Sequence, residues 1–220
     1  MARPDLNRSQ RLFGLPRWLI AVVPVVAVLV AAAFSVTPVS KAQTASQSTE
    51  FVASTWAAKE YPKTVEPYVT SKAVDLATLL TALSSDPKAT ETKYGHNAGS
   101  GSGYAFPVKL TGTAGDDSNG LVPLKVDGVP GKWLVSLQVG PAINGSALRD
   151  VSGKIAFGSF ANQIDYQNAA LALNDQVKTK VLSKVDPSSL KGKTIEVVGA
   201  FAEGANPDFV GIVPTSVSVR

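Results

Sequence analysis

The chain has 220 residues with 21 Lys/Arg against 17 Asp/Glu, giving a formal charge of +4, and 45% of its residues are hydrophobic. Residues 1–42 hold five of the basic residues and one of the acidic ones, so the rest of the chain is neutral and lacks the basic footprint of a nucleic-acid-binding domain. Cysteine is absent, which excludes disulfides, a thiol nucleophile, a thiolate metal site and an acylated N-terminal cysteine.

Arg3, Arg8, Arg11 and Arg17 precede an uncharged run, Trp18 to Val36. Nineteen residues at about 1.5 Å each make roughly 28 Å of helix, close to the ~30 Å hydrocarbon core, and Pro24 is tolerable within it. The expectation is a basic cytoplasmic tail over 1–17 and a single-pass transmembrane anchor over 18–36, with everything after it outside the cytoplasm. The rival is a secretory leader cleaved after Ala42 in Ser40-Lys41-Ala42, although the apolar run exceeds the usual h-region. Trp18 to Val36 has no GxxxG spacing to pair anchors. Residues 37–50, small and polar, read as a tether.

A helical subdomain is expected over 51–96. Phe51, Val52 and Trp56 share a face of a short helix stopped by Pro62, and Ala73, Leu76, Leu80 and Leu83 recur at helical spacing until Pro87, with Asp75 in the first turn. Asn97 to Gly103 is a glycine-rich lead-in, and β-type sequence begins at Tyr104: YAFPVKLTGTA, LVPLKV and KWLVSLQVG, joined by the Asn-Gly and Asp-Gly turns of DDSNG and DGVPG. In the third piece, Trp133, Val135, Leu137 and Val139 alternate with Leu134, Ser136 and Gln138 as in a half-buried strand.

A weaker strand is expected over Lys154 to Phe157, then a helix over 161–185 whose apolar face is Tyr166, Ala169, Leu173, Val177 and Val181. KGKTIEVVGAF and FVGIVPTSVSVR close the chain as a hairpin, with tight backbone paths at Gly192 and Gly199. The expected fold is mainly β with α: an OB-like, partly closed β-barrel over 97–220 with an embedded helix, preceded by the helical subdomain. An open antiparallel sheet with helices on one side is the alternative.

Candidate chemistry is sparse. His96 is the lone histidine and reads as a loop residue or hydrogen bonder, not a metal ligand. Asp116-Asp117 reads as a solvated turn without the spacing of a calcium loop, and GSGSG before Tyr104 precedes a strand, unlike a nucleophile elbow or a phosphate loop. Asn144-Gly145-Ser146 fits the glycosylation pattern only as three residues do by chance. The informative stretch is GPAINGSALRD with FANQIDYQNAALALN, where Arg149, Asp150, Asn162, Gln163, Tyr166 and Asn174 gather planar hydrogen-bonding groups. They are either a network fixing the helix to the barrel or contacts to a ligand or partner.

These stretches, with YGHNAGSGSGYAFPVKLTGTA and LKGKTIEVVGAF, resemble a bacterial family of predicted periplasmic lipoproteins, a domain of unknown function, from about Glu50 to Arg220. The resemblance implies one N-terminal membrane attachment, an exported domain, and an accessory role near sugar or nucleoside ABC-transport systems. It carries over no catalytic residues; Arg149, Asp150, Phe160, Asn162, Gln163, Tyr166 and Asn174 match only as characteristic positions. The chain departs from the lipoprotein pattern in lacking the cysteine to be acylated, so the span 18–36 must do that work.

The expected function is therefore a non-enzymatic, membrane-tethered extracytoplasmic accessory or binding protein. Its partners would be the bilayer through 18–36 and a transporter component or a small polar solute, with no cofactor, no metal and no nucleic acid. The alternatives are a structural envelope protein without a small ligand, and an envelope hydrolase, which would need Asp150 and Asp165 in a shared cleft.

Overall fold

The computed structural model describes residues 51–99 and 103–220. The anchor and tether expected over 18–50, and most of the glycine-rich GSGSG, lie outside the described residues. Among those described, no helix is long and apolar enough to cross a membrane.

The N-terminal helices are α1 (Ala53–Glu60) and α2 (Glu66–Lys72), and the chain does not stop at Pro62 as expected. A wider π-helical turn, Tyr61–Val65, joins the two and holds Pro62 in its first positions. Widening the turn accommodates the ring and the missing N–H, which would break a regular helix interior. Strand β1 (Val74–Asp75) then pairs in parallel with the barrel, so α3 (Leu76–Ser85) starts later than the apolar spacing suggests. Asp75 is its N-cap and not part of its first turn, the carboxylate accepting the Thr78 N–H at 2.9 Å. A helix not anticipated, α4 (Pro87–Tyr94), follows at once: Asp86 accepts the Ala89 N–H at 3.1 Å and Pro87 takes the first position, where its missing N–H costs nothing.

The barrel strands are β3 (Tyr104–Ala114), β4 (Leu121–Lys125), β5 (Leu134–Gln138), β6 (Thr194–Ala202) and β7 (Phe209–Val219); a two-residue β2 (His96–Asn97) lies beside β3. Around the barrel the order is β3-β4-β5-β7-β6, and β6 returns to β3 along Ala105↔Ala202 to Thr113↔Thr194. That last pairing closes the circuit and excludes the open sheet. All neighbours are antiparallel except β5 and β7, which run parallel. The β3–β4 turn follows from Asn119-Gly120: both residues have positive φ, 55° and 82°, and Ser118 and Leu121 exchange backbone hydrogen bonds on either side. In the closing hairpin, a Cβ on Gly199 would lie 2.5 Å from the Val213 carbonyl oxygen, and the pairing shifts register there, so only glycine lets β7 approach.

Two cores follow from the alternation of the strands. Phe106, Val122, Leu137, Ile195 and Ile212, one from each strand, point into the barrel, and Leu76, Leu79, Leu80 and Leu83 of α3 pack with them. The opposite faces of β3, β6 and β7, through Ala105, Ala200 and Val213, pack with Ala57, Tyr61, Val65 and Val69 of the N-terminal helices and with Leu148, Leu173 and Val177. The helical subdomain is thus bound to the barrel through both cores.

Between β5 and β6 lie α5 (Ala147–Asp150) and the embedded helix α6 (Gln163–Lys180). The face expected for α6 is the buried one: Tyr166, Ala169, Leu173 and Val177 are inaccessible, and Val181 just beyond is 9% exposed. The helix ends at Lys180 and gives way to a 3-10 turn, Leu182–Lys184, short of the expected 185. The strand expected over Lys154 to Phe157 does not form; the chain there is irregular and passes into a 3-10 turn, Phe157–Ser159. Only Ile155 of that stretch is buried, too little to commit it to a sheet. Nor is β5 half-buried: Ser136 and Gln138, expected to face water, are 9% and 8% exposed. Alternation assigns residues to faces, and here the second face is covered as well.

Candidate functional site

Three of the six polar residues singled out in the sequence form one buried cluster. Arg149 donates from Nε to Asp150 Oδ1 at 2.6 Å and from Nη2 to Oδ2 at 2.9 Å, a two-point grip on the carboxylate of its own chain neighbour. Its Nη1 donates to the Tyr166 carbonyl oxygen at 3.2 Å, and its guanidinium lies 3.6 Å from the Tyr166 ring centroid. Tyr166 Oη completes the cluster by donating to Asp150 Oδ1 at 3.3 Å. Burial, followed by the Asp150 carboxylate, pushes the Tyr166 hydroxyl above the usual tyrosine range and keeps it a proton donor. Arg149 and Asp150 are 5% and 2% exposed, so the cluster offers little surface to a ligand and joins α5 to α6.

The other three stand apart. Asn162 caps α6 in the open, its Oδ1 accepting the Asp165 N–H at 2.9 Å while its Nδ2 donates to the Asp165 carboxylate. Gln163 is exposed at the first turn. Asn174 is buried three turns along, donating from Nδ2 to the carbonyl oxygens of Ile143 and Gly145 at 3.3 and 3.0 Å. Its Oδ1 is buried without a hydrogen-bond partner among the described residues. Asp150 and Asp165 are engaged in separate arrangements, one inside the cluster and one in the helix cap.

The loop that Asn174 holds forms one wall of a cavity of about 280 Å3 that sequence reasoning did not assemble. Asn144, Gly145 and Ala147 face Gly204, Ala205 and Asn206 of the β6–β7 connection across it, with Leu121, Gln138, Ala202, Phe209 and Gly211 lining the remainder. Among the described residues, no ionisable side chain lines it. Gln138 is spent inside the protein: its Nε2 donates to the carbonyl oxygens of Asn144 and Gly211, and its Oε1 accepts the Asn144 N–H at 2.9 Å. That pins the loop to the barrel wall. The Asn144 carboxamide makes no hydrogen bond among the described residues, and Asn206 uses only its Oδ1, accepting the Asp208 N–H at 3.1 Å. Two carboxamides therefore keep free capacity beside a phenylalanine ring and glycine backbone. The one trace of this in the sequence is an amide, Gln138, on a strand otherwise apolar at its end, followed closely by Asn144-Gly145.

Elsewhere, Tyr68 Oη and His96 Nε2 lie 2.9 Å apart, and a Cβ at Gly153 would meet the His96 ring at 2.8 Å, so the histidine is a packed hydrogen bonder. Asp117 accepts the Gly120 N–H within its turn, and Asp116 pairs with Lys191 on the surface. No group of three or more His, Cys, Asp or Glu among the described residues could hold a metal ion.

In fold, the chain is similar to an OB-fold protein from Thermotoga maritima MSB8, with a TM-score of 0.62 at 18% identity over 78% of this chain and 100% of that one. The likeness extends to the architecture alone. No curated protein matches the chain. A family model described as predicted periplasmic lipoprotein (DUF2291) matches residues 24–218, consistent with a place outside the cytoplasm. By that match, which spans barrel, helices and cavity alike, the chain belongs to the DUF2291 family of predicted periplasmic lipoproteins.

Proposed function

We propose that the protein is a non-enzymatic binding module of the cell envelope, tethered to the membrane through residues 18–36, which holds a small neutral polar solute in the cavity between Asn144 and Asn206. The observation that carries this reading is the composition of that cavity among the described residues: unspent carboxamides, accessible glycine backbone and one aromatic ring, with no charge. Such a lining suits a molecule that presents hydroxyls or amides on one side and an apolar face on the other, as sugars and nucleosides do. OB barrels hold their ligands against the second and third strands and the adjoining loops, and the cavity uses the corresponding parts, β4, β5 and the β6–β7 connection. A solute of this class accords with an accessory role beside a sugar or nucleoside ABC transporter.

The test is calorimetric titration of the full chain in detergent with a panel of monosaccharides and nucleosides, beside an Asn144→Ala, Asn206→Ala variant. Both side chains are exposed, so the variant keeps the fold. Binding of one member, weakened about tenfold or more in the variant, as the loss of one to two hydrogen bonds predicts, supports the reading. Absence of binding across the panel removes it and leaves the second reading, a structural envelope protein without a small ligand, which the internally closed Arg149 cluster favours.

A further inference from the structure

The described domain begins at an uncovered apolar surface. Phe51, Trp56 and Phe160 pack ring against ring at centroid separations of 5.3 to 5.9 Å, and Phe160 and Phe157 both abut Tyr166, at 5.3 and 5.5 Å. The rim of this cluster is open: Val52, Phe157 and Ile164 are 52%, 45% and 68% exposed. The neighbouring exposed side chains Ser159, Ala161, Asn162 and Gln163 are uncharged. Segments from α1, from the 3-10 turn before α6 and from the first turn of α6 thus combine into one mainly apolar patch, beside which the Asp165 carboxylate is held by Asn162. It lies over the Arg149 cluster and apart from the residues that line the cavity.

We infer that this patch rests in the interfacial zone of the bilayer and fixes the orientation of the domain on the membrane. The inference depends on the anchor in the function proposed above. Its occupant is indicated by the chain itself, because Phe51 is where the chain enters the domain and the apolar run ends at Val36. The fourteen residues between them can span no more than about 50 Å of extended chain. The patch is therefore the surface most confined to the membrane, at an effective concentration that makes even a weak contact persistent. Its chemistry also fits: tryptophan and phenylalanine favour the headgroup boundary, and a patch whose exposed side chains Val52, Phe157, Ser159, Ala161, Asn162, Gln163 and Ile164 include no cation suits lipid of no net charge. With the patch against lipid, the cavity is left for solute or partner.

Trp56 supplies a native reporter. The chain has three tryptophans, so Trp18→Phe with Trp133→Phe leaves Trp56 alone. The full chain with these two changes is reconstituted into phosphatidylcholine vesicles, with and without bromine on the upper acyl carbons, and retention is checked by alkaline carbonate extraction. The expected result is retention in the vesicles with Trp56 emission quenched by the brominated lipid, and loss of that quenching when Val52→Ser, Phe157→Ser and Ile164→Ser are added. These positions are exposed, so the domain stays folded. Retention with Trp56 emission identical in both lipids overturns the inference and leaves the anchor standing. Quenching that survives the three serines shows that Trp56 meets lipid through another surface and also overturns it. Extraction of the chain from the vesicles removes the anchor and the inference together.

Discussion

Asp150→Ala removes one partner from the buried cluster that joins α5 to α6. Arg149 would keep only its bond to the Tyr166 carbonyl, losing both charge-assisted bonds, and the Tyr166 hydroxyl would lose its acceptor. With both ionic side chains at most 5% exposed, water cannot take the place of the carboxylate without opening the α5–α6 contact. Breaking a buried pair from one side typically costs about 3–5 kcal/mol, most of it the uncompensated charge left behind. For a domain spanning residues 50–220, where each kcal/mol moves Tm by about 2–4 °C, this is a fall of roughly 6–20 °C.

The assay is urea and thermal unfolding of the full chain followed by circular dichroism, with a second variant, Arg149→Met, Asp150→Leu, in parallel. Replacing both charges by apolar side chains leaves no unpaired charge and strands only the Tyr166 hydroxyl, so it is expected to cost at most about 1–2 kcal/mol. The reasoning is refuted if Asp150→Ala costs less than about 1 kcal/mol, or if the double variant loses as much as the single one.

Two further predictions use groups outside the cluster. The Tyr61 hydroxyl is buried without a hydrogen-bond partner among the described residues, and burial followed by Glu66 pushes its ionisation well above the ordinary range, so Tyr61→Phe is expected to stabilise the domain by about 1 kcal/mol, read by urea unfolding; a loss of that size would mean the hydroxyl has a partner. Burial raises the Glu203 carboxyl above the usual range, the Tyr104 N–H that it accepts opposes the shift, and Glu91 adds to it. The native state then holds the Glu203 proton more tightly than the unfolded state, so its contribution is full below the unfolded pKa and falls as pH rises through the native one. Glu203→Gln should flatten stability against pH in that window and raise stability at neutral pH, and an unchanged slope in melts across mildly acidic pH would contradict it.

What the sequence made legible was local. Asn119-Gly120 names its turn because few other pairs accept two positive φ values, and Tyr166, Ala169, Leu173 and Val177 name the buried face of α6 through simple periodicity. Errors arose where tertiary cover or an unusual helix decided the outcome. Pro62 signals a stop only for a regular helix, and the π turn evades it. Ser136 and Gln138 look solvent-facing because polarity shows which side they occupy, not whether another segment covers it. The cavity was out of reach for a different reason: its walls come from β4, β5, the loop before α5 and the β6–β7 connection, whose juxtaposition is a property of the barrel order and not of any spacing.

Two kinds of polar residue that look alike in the sequence differ in where their hydrogen bonds go. Arg149, Asp150, Tyr166 and Gln138 direct their polar atoms at other parts of the protein, whereas Asn144 and Asn206 retain capacity at a cavity. Asn174 connects the two groups. From α6 its amide holds the Ile143 and Gly145 carbonyls, while Arg149 and Tyr166 hold α5, which begins two residues after Gly145, against the same helix. The polar stretch from Arg149 to Asn174 therefore bears on the cavity at one remove: it fixes the wall that carries Asn144, and in the proposed function contact with a solute falls to the residues whose hydrogen bonds the fold has left unmade.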